Sequence, residues 1–183
     1  QGVSSAASDV YKRQPLKGVF LLELEPVADV RGSFARQFCH KELAAHGLDF
    51  TICQCNLSTN THKHTLRGLH YQKAPWPEIK IVSCMKGAMF DVVVDLRPQS
   101  PTYLRHIAME LTEDNGKMLY IPPFMAHGFL TLKDDTTVYY QLGEFFHSES
   151  YSGVRYNDPK LNIHWPAKEN IIINERDSSY DLL

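Results

Sequence analysis

From Val19 onward the chain alternates apolar and polar positions in short runs separated by turn residues: GVFLLELEP, TICQCNLS, IKIVSCMKG, AMFDVVVDLRP, LRHIAMEL, GKMLYIPP and TTVYYQL. A period of two over such runs marks strands with one buried face, and their close spacing predicts an all-β barrel or sandwich of antiparallel strands. Lys86-Gly87 stands between two runs as a hairpin turn would, and Pro98 with Pro101 closes the second. The clearest helical segment is HKELAAHGL, stopped by Gly47, and LTEDNG reads as a short turn. No repeat, low-complexity tract or linker interrupts the series, so residues 15–183 read as a single domain.

The opening QGVSSAASDVYKRQ has none of this patterning, and DVYKRQ resembles the translation of a transposon-end adapter. Residues 1–14 are therefore expected to be a non-native, disordered leader, with the protein's own first strand before Pro15 missing. The remaining chain is long enough for one substantial core, with 43% hydrophobic residues in 183. A net charge of −2 without a basic run excludes nucleic acid or an anionic membrane as a partner. Cys39, Cys53, Cys55 and Cys84 form no Cys-x-x-Cys pair, which argues against a disulfide framework or zinc site and for reduced thiols in the cytoplasm. No apolar stretch approaches the roughly 18 residues of a membrane span.

Alternation also sorts side chains by face. Leu69 and Tyr71 share one face and His70 with Gln72 the other, while Lys80, Val82 and Cys84 lie together, as do Asp91, Val93 and Asp95. A small barrel that turns His, Gln, Lys and Asp inward encloses a binding cavity rather than a purely apolar core. His70 is then a catalytic base, a metal ligand or a satisfied polar side chain. As a base, with an ordinary pKa of about 6.5, it needs a carboxylate to fix its tautomer, and Asp91 and Asp177 are both candidates. Tyr140 could act as the facing acid, Lys80 could hold an enolate or a phosphate, and Arg67 and Arg31 could clamp a diphosphate. His62 and His64 belong to a solvated loop. His40, His46, His106, His147 and His164 are structural or surface residues, and His127 is balanced between ligand and packing. Asp95 with Arg97 reads as a structural pair at a strand end. Phe145, Phe146, Trp76 and Trp165 are core residues by default.

RGLHYQ, KIV.C..GAMFDVVVDLRPQSPTY, PP..AHGF, VYYQ, NDP.L.I.WP and NERD, in this order from about Pro15 to Asp177, together resemble the dTDP-4-dehydrorhamnose 3,5-epimerases, a family of cupin barrels in nucleotide-sugar biosynthesis. The resemblance implies a homodimeric antiparallel jelly roll that epimerises a nucleotide-linked 4-keto-6-deoxyhexose at carbons 3 and 5 with neither metal nor organic cofactor. It implies His70 as base, oriented by Asp177, and Tyr140 as acid. It carries over Arg31, Gln54, Asn56, Arg67, Lys80 and His127 as the binding set, with Phe146 stacking on the nucleobase and Asp91 in support. Four positions depart from the family pattern: Arg36 and Tyr151 replace glutamates, Arg176 replaces a lysine, and Phe146 replaces the usual tyrosine. They leave open the nucleotide preference and epimerisation at carbon 3 alone. A metal-dependent cupin is the rival, but its paired histidines one residue apart are broken here by Gln72.

Overall fold

The computed structural model describes residues 16–48 and 50–183. The expectation of a disordered leader over residues 1–14, and of a missing strand before Pro15, lies outside the described residues.

Two five-stranded antiparallel sheets face each other. The first runs in the order β1 (Phe20–Glu23), β9 (Lys117–Ile121), β6 (Lys80–Lys86), β11 (Thr136–Leu142), β4 (Gln54–Asn60). The second runs β12 (Tyr151–Gly153), β5 (Leu66–Gln72), β10 (Met125–Thr131), β7 (Ala88–Asp95), β8 (His106–Thr112). A separate two-stranded hairpin is formed by β2 (Val27–Asp29) and β3 (Gly32–Phe34). Helices are confined to α1 (His40–Ala45) and α2 (Glu175–Ser179) among the described residues. The expected all-β jelly roll is the architecture observed.

One expectation fails at Lys86-Gly87. β6 and β7 follow each other in sequence but do not pair, because β6 lies between β9 and β11 in the first sheet and β7 between β8 and β10 in the second. The chain crosses between sheets at Gly87, whose φ of +79° suits glycine and whose added Cβ would come within 2.5 Å of Thr136 Oγ1. A corner between layers and a hairpin share the same glycine signal; which one forms depends on where the flanking strands find partners.

Apolar side chains pack in three places. Val82, Cys84, Val93, Leu119, Phe129 and Val138 fill the space between the sheets. The outer face of the second sheet, with Leu66, Leu69, Val92 and Val94, is covered by the segment carrying Leu161 and Trp165. The outer face of the first sheet, with Ile81 and Tyr120, is covered by Phe50 and by Leu43 of α1. A helix of six residues does not stand alone, so α1 depends on Leu43 burial and on a bond between His40 Nδ1 and the Phe50 carbonyl at 3.0 Å. Each large side chain fully buried in these layers contributes about 1.5–3 kcal/mol. β7 has both faces covered, which explains its almost unbroken apolar run around Asp91.

β5 departs from strict alternation. Against β10, His70 pairs with His127 and Arg67 with Phe129, so three steps on β5 match two on β10. The extra residue is a bulge at Gly68, φ +127°, where an added Cβ would lie 2.5 Å from Gly128 Cα. Arg67 and His70 therefore both face the interior, while Leu66 and Leu69 both join the outer cluster.

Trp165 is buried as expected, but Trp76, Phe145 and Phe146 are not: they are 40%, 58% and 58% exposed. Gln72 accounts for this arrangement. Its buried side chain donates to the carbonyls of Trp76 and Phe145 and accepts from the His147 amide, pinning both loops by their backbones. The aromatic rings are left at the rim, and His147 stacks on Trp76 at 4.3 Å between ring centroids. His147, read from sequence as a structural or surface residue, also lies near Glu144 and Glu149.

Candidate active site

Asp177 reaches His70 through the C-terminal helix. The Asn174 side chain caps α2 by accepting from the Asp177 amide at 2.7 Å, which fixes the helix start and turns the Asp177 carboxylate toward β5. There Oδ1 lies 2.8 Å from His70 Nε2, and Oδ2 accepts from the Gly68 amide at 3.0 Å. Of the two carboxylates open to His70 from sequence, Asp177 is the partner.

Burial lowers the pKa of His70 below its ordinary 6.5; the hydrogen bond and charge of Asp177 oppose that shift, while Lys80 and Arg176 reinforce it. Burial pushes the Asp177 carboxyl up, but the bonds from His70, Gly68 and Arg176 outweigh it and hold it below the usual value. At neutral pH the pair is an imidazole beside a carboxylate. Nε2 carries the proton that Asp177 accepts, and the other ring nitrogen keeps its lone pair.

Tyr140 comes from the other sheet. Burial drives its phenol well above the ordinary value, the negative charge of Asp91 adds to this, and Arg67 opposes it, so the hydroxyl stays protonated. Beside it lies a second pair: His127 Nε2 is 2.7 Å from Asp91 Oδ1, and the His127 ring sits edge-on to Tyr140 at 6.0 Å. Asp91 Oδ2 is buried without a hydrogen-bond partner among the described residues.

The cationic side chains are held in place. Lys80 Nζ lies 2.7 Å from Glu78 and donates at 3.4 Å to the His70 carbonyl, and Arg67 Nε donates to Asn60 Oδ1 at 2.8 Å. Asn56 pairs with Tyr140 across β4 and β11, while Gln54, two residues earlier, accepts from the Phe146 amide at 3.1 Å. Phe146 packs against Tyr151, and Tyr151 against His70, with centroids 5.3 and 5.2 Å apart. The structure thus brings together His70, Asp177, Tyr140, His127, Asp91, Lys80 and Arg67, with Gln54, Asn56 and Phe146 alongside.

Arg31 is not brought in within the chain. It lies at the turn of the exposed β2–β3 hairpin, 86% exposed at its side chain, with its hydrogen bonds to Asp29. Arg36, which stands where the resemblance places a glutamate, pairs with Glu42 of α1. Its added charge is therefore locally matched.

Sequence reasoning missed Glu78 and Asn60 as anchors of Lys80 and Arg67. The Glu-x-Lys spacing on an extended segment places both side chains on one face and was a usable signal. Asn60 and Arg67 lie on different sheets, and nothing in their spacing announces the contact. Among the described residues, no group of three or more His, Cys, Asp or Glu side chains could hold a metal ion.

The model of the dTDP-4-dehydrorhamnose 3,5-epimerase family matches residues 13–183. This chain belongs to that family. It is 38% identical over 161 residues to the dTDP-4-dehydrorhamnose 3,5-epimerase of Sinorhizobium fredii, covering 88% of this chain and 83% of that one. Its fold matches a crystal structure of the Bacillus anthracis family member with TDP and PPi bound, with a TM-score of 0.92 at 36% identity over 94% of this chain and 98% of that one. It also matches the Legionella pneumophila enzyme in complex with dTDP-4-keto-L-rhamnose, with a TM-score of 0.89 at 32% identity over 94% and 91%. The family is one of isomerases. Among the described residues, no helix is long and apolar enough to cross a membrane.

Proposed function

We propose that this family member epimerises a dTDP-linked 4-keto-6-deoxyhexose at carbons 3 and 5, giving the dTDP-4-dehydrorhamnose type of product. The observation that carries the reading is a neutral His70, bonded to Asp177 on one sheet, and a protonated Tyr140 on the other, with His127 adjoining both. Inverting a carbon requires proton removal on one face and delivery on the other.

The 4-keto group acidifies the hydrogens on its α carbons. The free ring nitrogen of His70 takes the proton, the C–H electron pair moves into an enolate, and the charge collects on the C4 oxygen. Lys80, with His127 nearby, supplies fixed donors to that oxygen. Tyr140 then donates its proton from the opposite face, leaving a phenolate that Arg67 favours electrostatically. His70 and Tyr140 return to their starting states by exchange with solvent. The keto group itself provides the activation, so no redox or organic cofactor enters the electron count. Activity is therefore expected to survive exhaustive chelation, measured on enzyme dialysed against EDTA.

Arg67 suits the diphosphate, and Gln54, Asn56 and Phe146 the nucleobase. Arg31 fits the same substrate if its hairpin reaches the site of a second copy in a homodimer, a reading supported by the exposed apolar residues Val27, Val30 and Phe34 around it. Four free cysteines and the family role favour action in the cytoplasm.

Proton NMR of dTDP-4-keto-6-deoxyglucose in deuterium oxide with metal-stripped enzyme tests the reading. Deuterium should enter carbons 3 and 5. Entry at carbon 3 alone would reassign the enzyme as a 3-epimerase, and no exchange with folded protein would overturn the proposal. Tyr140→Phe should retain exchange into recovered substrate while losing inverted product.

A further inference from the structure

Arg176 is the cation bound to the dyad carboxylate. Its Nε donates at 3.2 Å to Asp177 Oδ1, the oxygen that also receives His70 Nε2 at 2.8 Å. Its guanidinium carbon sits 5.1 Å from the centroid of the Tyr151 ring, within the range of a cation–π contact. The same ring leans on His70. His70, Asp177, Arg176 and Tyr151 therefore close a circuit of contacts.

We propose that Arg176, held by the face of Tyr151, is a positioning residue that shares Asp177 with His70 and thereby sets how strongly the carboxylate supports the base. The inference rests on His70–Asp177 being the proton-abstracting dyad. An oxygen that accepts from two donors gives less to each, and a fixed positive charge beside the pair opposes protonation of the imidazole. Tyr151 matters as a surface: it gives the half-exposed guanidinium something to rest on, so that a long side chain keeps one geometry.

Other ionisable groups face His70 from each side. Tyr180 follows α2, Lys80 with Glu78 adjoins β6, His127 with Asp91 comes from β10 and β7, and Tyr140 from β11. None of these except Tyr180 adjoins α2 in sequence, and among the described residues the buried Tyr180 hydroxyl has no hydrogen-bond partner, so it does not compete for Asp177.

The test is a titration of the His70 imidazole by NMR in the substrate-free enzyme, paired with the pH profile of kcat/KM. In Arg176→Gln the His70 titration and the acid limb of activity should both move to higher pH. Arg176→Lys, which restores the charge, should bring both back toward wild type. Tyr151→Leu should shift them in the same direction as Arg176→Gln, and the double variant should shift no further than Arg176→Gln alone. An unmoved titration in Arg176→Gln, or fully additive shifts in the double variant, would overturn the proposal while leaving the base assignment standing. Wild-type turnover in His70→Ala would instead remove the dyad reading on which it depends.

Discussion

Two histidine–aspartate pairs meet where β5 and β10 run side by side, with His70 opposite His127, and they are built in different ways. In His70–Asp177 the histidine side chain retains 16% exposure, and its carboxylate partner arrives from a helix outside the sheets. In His127–Asp91 both residues come from adjacent strands of one sheet and both are buried. Asp177 uses both oxygens, on His70, Arg176 and the Gly68 amide; Asp91 leaves one buried oxygen without a partner among the described residues. On the proposed mechanism, the contrast separates a base that a substrate can approach from a pair that orients a neighbour. Similar distances, 2.8 and 2.7 Å, do not imply similar work.

The strongest way to break this contrast is His70→Ala. It should lower kcat by about 10²–10⁴-fold, the usual worth of a positioned general base, with the circular dichroism spectrum unchanged. Next comes the pair Asp177→Asn and Asp91→Asn measured side by side. The first removes the negative charge that supports the imidazole and lets an amide NH2 face His70 Nε2 in place of an oxygen, so the tautomer is no longer fixed, and it should cost about 10²-fold in kcat. The second keeps an acceptor for His127 and places an amide where an oxygen lacked a partner, so it should cost less than about tenfold. Equal losses in steady-state assays would erase the division of labour.

Gly68→Ala addresses the framework beneath the first pair. An alanine would meet the Gly128 backbone and resist a φ of +127°, for a destabilisation of roughly 2–4 kcal/mol in urea unfolding. Gly153→Ala is a milder companion, since its Cβ would meet the Tyr180 ring rather than backbone.

The smallest effect expected is in pH dependence. Because the folded-state pKa of His70 is lowered, the acid limb of kcat/KM should fall below pH 6.5. The unfolded chain binds the proton more readily, so the stabilising contribution of neutral His70 is complete above about pH 6.5 and is lost as pH falls through the lower folded value. Thermal melts across pH 5 to 8 in the His70→Ala background should lose that component of the slope.

Much of this was legible in the sequence. Strand alternation announced an all-β barrel or sandwich, which the family motifs narrowed to a jelly roll, and it put His70 and Gln72 on one face. The pairing of His70 with Asp177 was not a matter of spacing, because 107 residues separate them; without the family motifs Asp91 was an equal candidate. The corner at Gly87 looked like a hairpin because local turn chemistry does not encode which strand becomes the neighbour. The rim aromatics looked like core because hydrophobicity does not reveal that Gln72 anchors their backbones and leaves their rings outside. Arg31 reads as a binding residue, yet its place in this chain is an exposed hairpin.

The bulge at Gly68 gives β5 an odd step. Before it, cavity-facing residues follow one parity; after it, they follow the other. A regular pleat at that glycine, with every letter of the motif kept, would reverse the sense of one half against the other, turning either Arg67 or the His70 pair into the apolar cover and Leu66 or Leu69 inward. The glycine is thus a frame mark in three dimensions, and the chemistry downstream is read correctly only because the strand miscounts once.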